Sequence, residues 1–145
     1  MVHTYLWPLT HGFKDGDSML IKGSLPSTGV RFDIDFHTDI NRDDGDVLFH
    51  MSNRYGRAYD QIVLNSRKAK VGWLAEEIYN KASVLQPGTY FAITVVLSGG
   101  QFSVAVNGHH FANFNVRDST RFIKYFSVTG EAEISSITFA DISCK

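Results

Sequence analysis

Cysteine is nearly absent: Cys144 is the only one in 145 residues. A lone thiol excludes an internal disulfide framework, and synthesis in a reducing cytoplasm is then the default. Cys144 reads as an incidental free thiol. An excess of charge of one sign is also lacking. Fourteen Lys and Arg stand against fifteen Asp and Glu, for a net charge of −1, and no block of like charge stands out. Nucleic acid and membrane surfaces both call for a basic footprint, so neither is an expected partner. No apolar run approaches the ~20 residues of a membrane-spanning helix. The opening "MVHTYLWPLTHGFKDGD" has no basic segment followed by an apolar one, so no secretory signal is expected there. There is no low-complexity tract and no repeat at a period of 20 to 50 residues.

What the chain does have is the composition of an ordinary globular domain, with 43% hydrophobic and 20% charged residues. A chain of this length buries roughly 70% of its unfolded surface, enough for a core without staples. One domain over residues 1–145 is expected. Turn signals are spread evenly: "KDGD" at 14–17, "PSTG" at 26–29, "DDGD" at 43–46, "QPGT" at 86–89, "SGGQ" at 98–101 and "NGHH" at 107–110. Between them lie short runs rich in Val, Ile, Phe and Thr: "SMLIKGSL", "VRFDIDFH", "DVLFHMSNR", "QIVLNSR", "YFAITVVLS", "QFSVAVNG" and "ISSITFADI". "VRFDIDFH" alternates cleanly, with Phe32, Ile34 and Phe36 opposite Asp33, Asp35 and His37. Asn107-Gly108 between two such runs is a strong hairpin signal. Only "WLAEEIYNKA" at 73–82 competes as a helix, by propensity. It lacks a clear N-cap, and its neighbours all read as strands. The expectation is an all-β sandwich of two antiparallel sheets.

The run "VLFHMSNR" at 47–54 carries the chemistry. At period two, Val47, Phe49 and Met51 share one face, and Leu48, His50, Ser52 and Arg54 the other. The next run places Ile62 and Leu64 toward the core, with Gln61, Val63 and Asn65 opposite. If the two strands pair as a meander, Asn65 joins His50 and Arg54. The segment "VGWLAEE" adds Trp73 and Glu76. An open face bearing imidazole, guanidinium, carboxamide, carboxylate and indole suits a sugar. Planar polar groups match the paired hydroxyls of a pyranose, and an aromatic ring covers its C–H face. Galactose, with its axial 4-hydroxyl, offers a particularly continuous apolar patch. Strict alternation puts Trp73 and Glu76 on opposite faces. Sharing a site requires a bulge between them, or a Trp73 that precedes the regular strand.

Other readings of these residues are weaker. Glu76 and Glu77 alternate faces on a strand and could not flank one glycosidic bond as acid and base. "NRDDGD" lacks the EF-hand spacing and reads as a solvated hairpin turn. His109 and His110 also alternate, against a metal site. "SGGQ" has no following helix to make a phosphate loop. No enzyme, metal or cofactor is expected.

The series "HMSNR", "IVLNSR", "GWLAEE" resembles the galectin signature (S-type, β-galactoside-binding lectins), which runs His-x-Asn-Pro-Arg, Val-x-Asn and Trp-Gly-x-Glu-x-Arg. "LQPGTYFAITV", "QFSVAVNGHHFANFNVR" and "GEAEISSITFADI" resemble the later strands of that family, so the likeness covers nearly everything from about residue 15. It implies an all-β, two-sheet antiparallel jelly-roll sandwich of the galectin/concanavalin-like type, forming a single galectin-like carbohydrate-recognition domain. It also implies carbohydrate-binding roles. His50 and Arg54 take the slots that hold the galactose 4-hydroxyl, and Arg54 also reaches the ring oxygen. Asn65 and Glu76 take the slots for the 6-hydroxyl, and Trp73 the stacking slot. Four positions depart. Ser52 replaces the motif Asn and is shorter, so its contact would need a water. Asn53 replaces the motif Pro, Leu74 the motif Gly, and Ile78 the motif Arg that usually serves the second sugar. The resemblance implies a metal-independent lectin for β-galactoside glycans of the lactose and N-acetyllactosamine type, on glycoproteins or glycolipids. It further implies glycan cross-linking through homo-oligomers, and cytoplasmic synthesis with non-classical export. The competing expectation is a galectin-fold structural or protein-interaction domain whose sugar site has drifted.

Overall fold

The computed structural model describes residues 2–56, 60–80 and 84–141. Cys144 and the end of the "WLAEEIYNKA" run lie outside the described residues. The strands are β1 His3–Pro8, β2 Asp17–Ser24, β3 Arg31–His37, β4 Val47–Arg54, β5 Gln61–Lys68, β6 Gly72–Trp73, β7 Glu77–Asn80, β8 Tyr90–Ser98, β9 Gln101–Val106, β10 His109–Asn115, β11 Tyr125–Gly130 and β12 Glu133–Asp141. Short 3-10 turns span Arg42–Asp44 and Thr120–Phe122. The strands form two antiparallel sheets, a jelly-roll sandwich. One sheet runs β1-β11-β3-β4-β5-β6, with β7 also on β5, and the other runs β10-β9-β8-β2-β12.

Each expected strand run forms a strand. Asn107 and Gly108, at φ 51° and 82°, make the tight turn between β9 and β10, the conformation that Asn-Gly adopts with least strain. The helical alternative at 73–82 does not occur among the described residues: β6 and β7 occupy that stretch. Two strands, β1 and β11, were not expected. "HTYLWP" and "YFSVTG" are short, and the first ends in Pro8, which suits the sheet edge it occupies.

The core fills the space between the sheets. Phe32, Ile34, Phe36, Phe49 and Met51 from β3 and β4 meet Ile93, Val95, Phe102 and Phe114 from the opposite sheet, all buried. Phe49 and Phe102 lie 4.9 Å apart and Phe36 and Phe126 also 4.9 Å, within the range where aromatic pairs add to plain burial. Each such side chain stabilises the sandwich by roughly 1.5–3 kcal/mol. Alternation fails at the start of β4. The register shifts between Phe36 and His37 on β3 and between Val47 and His50 on β4. Such a bulge turns the strand over, and Leu48, expected opposite the core, packs into it.

Candidate functional site

The outer face of β3, β4 and β5 carries the polar residues that this alternation predicts. Asp35 lies opposite His50, which lies opposite Asn65. Asp33 pairs with Ser52, which pairs with Val63 and then Ile78. Arg31 pairs with Arg54. The meander that brings Asn65 beside His50 is therefore formed. With a dense aromatic core directly behind them, these strands hold their outward side chains on a rigid support.

A cleft of about 350 Å³ opens on this face. His50, Arg54, Asn65, Trp73 and Glu76 all line it, together with Arg31, Asp33, Arg42, Val63 and Leu74. Ser52 does not. It is fully buried, and its Oγ accepts from Arg54 Nε at 3.2 Å. The shorter side chain thus sits beneath the guanidinium and steers it. Leu74 and Ile78 are both exposed, Ile78 at 51%.

The junction of Trp73 with Glu76 is resolved by a break in the strand. β6 ends at Trp73 and β7 begins at Glu77. Gly72, at φ 111°, leads into Trp73 with a backbone that other residues rarely adopt. The break is pinned twice to β5: the Leu74 N–H donates to the Ser66 carbonyl at 3.0 Å, and Asn65 Nδ2 donates to the Leu74 carbonyl at 3.1 Å. The alternation is reset, and both side chains reach the cleft. Glu77, next in the chain, is held by Arg117 at 3.3 Å.

Trp73 is 45% exposed, with its ring 4.4 Å from that of His50. Arg42 lies over the indole at 5.9 Å. His50 itself is buried, with Nδ1 at 2.6 Å from Asp35 Oδ1. An ionised carboxylate only accepts, so Nδ1 carries a proton, and in the neutral ring Nε2 is the acceptor. Arg42 Nη1 donates to the other Asp35 oxygen at 3.2 Å. Burial alone would lower the Arg42 pKa. The Asp35 carboxylate, with Asp43 and Asp33, lifts it above the usual arginine value. On the same strand, Arg31 grips Asp33 through two bonds of 3.0 and 3.1 Å.

Sequence reading missed this β3 layer. Its signal was the Asp33, Asp35 side of "VRFDIDFH", but only the β3–β4 register shows that Asp35 meets His50. The "NRDDGD" turn is more than a solvated hairpin, since Arg42 folds back from it onto Asp35. Among the described residues no group of three or more His, Cys, Asp or Glu could hold a metal ion, and no helix is long and apolar enough to cross a membrane.

Residues 4–139 match the sequence model of the galactoside-binding lectin family. The chain belongs to this family. Galectins are carbohydrate-binding lectins and not enzymes. Rat galectin-8 is 29% identical over 136 residues, which cover 93% of this chain and 42% of that protein. Human galectin-16 is 26% identical over 125 residues, 84% of each. The chain therefore spans less than half of the first relative and most of the second. Sheep galectin-11, solved in complex with glycerol, superposes with a TM-score of 0.82 at 20% identity, over 94% of this chain and 96% of that one. That likeness speaks to the fold.

Proposed function

We propose that this chain is a metal-independent lectin that binds β-galactosides, of the lactose and N-acetyllactosamine type, in the cleft over β3, β4 and β5. The observation that carries the reading is the placement of His50, Arg54 and Asn65 on one open sheet face beside an exposed Trp73. The pyranose ring stacks on the indole. The axial 4-hydroxyl donates to His50 Nε2 and accepts from Arg54. The 6-hydroxyl lies between Asn65 and Glu76. Asp35 holds the His50 tautomer, and Ser52 orients Arg54.

This pose has a direction. Carbons 1 and 4 lie across the ring, so placing the 4-hydroxyl over β4 and the 6-hydroxyl over β5 turns carbon 1 toward β7. The second sugar then meets Ile78, which has no polar group to give. Galactose recognition is proposed, with little discrimination at the reducing end. Carbon 3 turns toward β3. Beyond β3 a second hollow of about 460 Å³, lined in part by Arg42, Ser127 and Thr129, leaves room for a longer glycan.

Cross-linking of glycans on glycoproteins or glycolipids is proposed with this reading. If the chain acts with a single site, it requires self-association, which can raise apparent affinity ~10²–10⁴-fold. Cytoplasmic synthesis and non-classical export are proposed from the family alone. The competing reading is a galectin-fold protein-interaction domain with a drifted site, favoured by Ile78 in the motif Arg slot. A glycan array separates them: galactose-terminated spots that lactose competes away support the lectin. A blank array at high protein concentration supports the alternative.

A further inference from the structure

Arg117 follows β10, more than forty positions from the cleft residues in sequence, and does not itself line the cleft. Its guanidinium lies over the Phe114 ring at 4.6 Å. From there its fork reaches two separate pieces of the site. Nη1 donates to Asn65 Oδ1 at 3.0 Å and to Ser66 Oγ at 3.3 Å. Nη2 donates to the Ala75 carbonyl at 2.7 Å and to Glu77 Oε2 at 3.3 Å.

The consequence for Asn65 follows from counting donors and acceptors. Asn65 Oδ1 also accepts from the backbone N–H of Ser66 at 2.8 Å, and Nδ2 donates to the Leu74 carbonyl. Both partners of the oxygen can only donate, and the partner of the nitrogen can only accept. The carboxamide therefore cannot be turned over. Both oxygen lone pairs and one N–H are engaged, which leaves one N–H for the cleft.

We propose that Arg117 is a positioning residue of the sugar site: it makes Asn65 a donor-only group and, through Ala75, holds the connector that carries Glu76. The ligand hydroxyl between them must then accept from Asn65 and donate to Glu76. This rests on the galactoside reading, in which that hydroxyl is the 6-hydroxyl. A lysine cannot serve as well, because one ammonium cannot span both acceptors as the planar fork does.

Two measurements test this on the full chain. In the first, methyl β-D-galactoside and its 6-deoxy analogue are titrated against wild type, Arg117→Met and Arg117→Lys. Wild type should prefer the galactoside by about tenfold or more, the value of a charge-assisted hydroxyl contact. In Arg117→Met that preference should shrink toward unity, with affinity for the 6-deoxy sugar held within about twofold. Arg117→Lys should fall between, and it serves alone if the methionine variant does not fold. A general loosening of the fold would weaken both sugars alike, and an unchanged ratio would overturn the proposal. The second measurement needs no sugar. The Asn65 side-chain amide proton held by the Leu74 carbonyl should resonate apart from those of exposed Asn113 and exchange slowly in wild type, and merge with exposed amides in the variants. Unchanged Asn65 signals would overturn the proposal. If wild type binds neither sugar, the lectin reading fails, and the amide signals still decide the role of Arg117.

Discussion

Two single residues carry consequences that can be measured directly. Asn53 sits on the core side of β4, opposite Phe32 and Ile62. It is fully buried, and neither its Nδ2 nor its Oδ1 has a hydrogen-bond partner. A buried polar group without a partner costs about 1–3 kcal/mol. Asn53→Leu, with the same number of side-chain heavy atoms, should raise stability by roughly that amount, read as a higher urea midpoint at unchanged slope. A lower midpoint would show that the amide has an unrecognised partner. His37 is the second case. Its Nδ1 donates to the Asp39 carbonyl at 2.7 Å and its Nε2 lies 3.0 Å from Ser127 Oγ. Burial pushes its pKa below 6.5, against the Asp39 carbonyl and the Asp35 carboxylate, which favour the charged ring, while Arg42 opposes it. The unfolded chain then holds a proton that the native chain does not, so this residue withdraws stability as pH falls below about 6.5. His37→Gln should lose less stability than wild type between pH 7.5 and pH 5.5, compared by chemical denaturation at both pH values. Parallel losses would place the titration elsewhere. His50, Arg54 and Asn65 were legible because alternation within a strand is local. Asp35, Arg42 and Arg117 were not, because their contacts arise from sheet register, a folded-back turn and a distant loop.

At the scale of elements, the site depends on an interruption. Periodicity alone separates Trp73 from Glu76, and only the break between β6 and β7 lets both face the cleft. Family resemblance anticipated this where alternation could not. The bulge at the head of β4 is the same kind of event: one residue out of step brings Leu48 into the core, with Val47 beside it buried as well. Strands β2 to β5 and β8 to β10 were readable because turn residues bracket apolar alternation. The edge strand β1 and the inserted β11 were not, because both are short and neither is an apolar alternation bracketed by turn residues. The half-exposed Trp73 closes the two-residue edge strand β6 and does not belong to the core. Trp73→Ala should therefore abolish galactoside binding at a stability cost well short of the ~3–5 kcal/mol of a buried tryptophan. Thermal unfolding beside a lactose titration checks this. A variant that unfolds would place Trp73 in the core, and one that still binds lactose would remove it from the site.

For the whole molecule, the sandwich explains why a site this shallow can select. Two sheets packed through a continuous aromatic core hold β3, β4 and β5 rigid, so their outward groups are set before a sugar arrives and little ordering is needed on binding. Selectivity then rests on fixed polar groups meeting, or failing to meet, one hydroxyl. Lactose and cellobiose differ only in the configuration at carbon 4 of the terminal sugar. With the equatorial epimer, His50 Nε2 and Arg54 are covered by sugar and left unpaired, at roughly 1–3 kcal/mol per group. Titration calorimetry of the two disaccharides against the intact chain is the most direct test. Lactose should bind about tenfold to a few hundredfold more tightly than cellobiose, and Arg54→Lys should shrink that margin to the share His50 supplies, because an ammonium cannot replace the fork. Equal affinities for lactose and cellobiose would contradict the roles of His50 and Arg54, and with them the β-galactoside reading of this face.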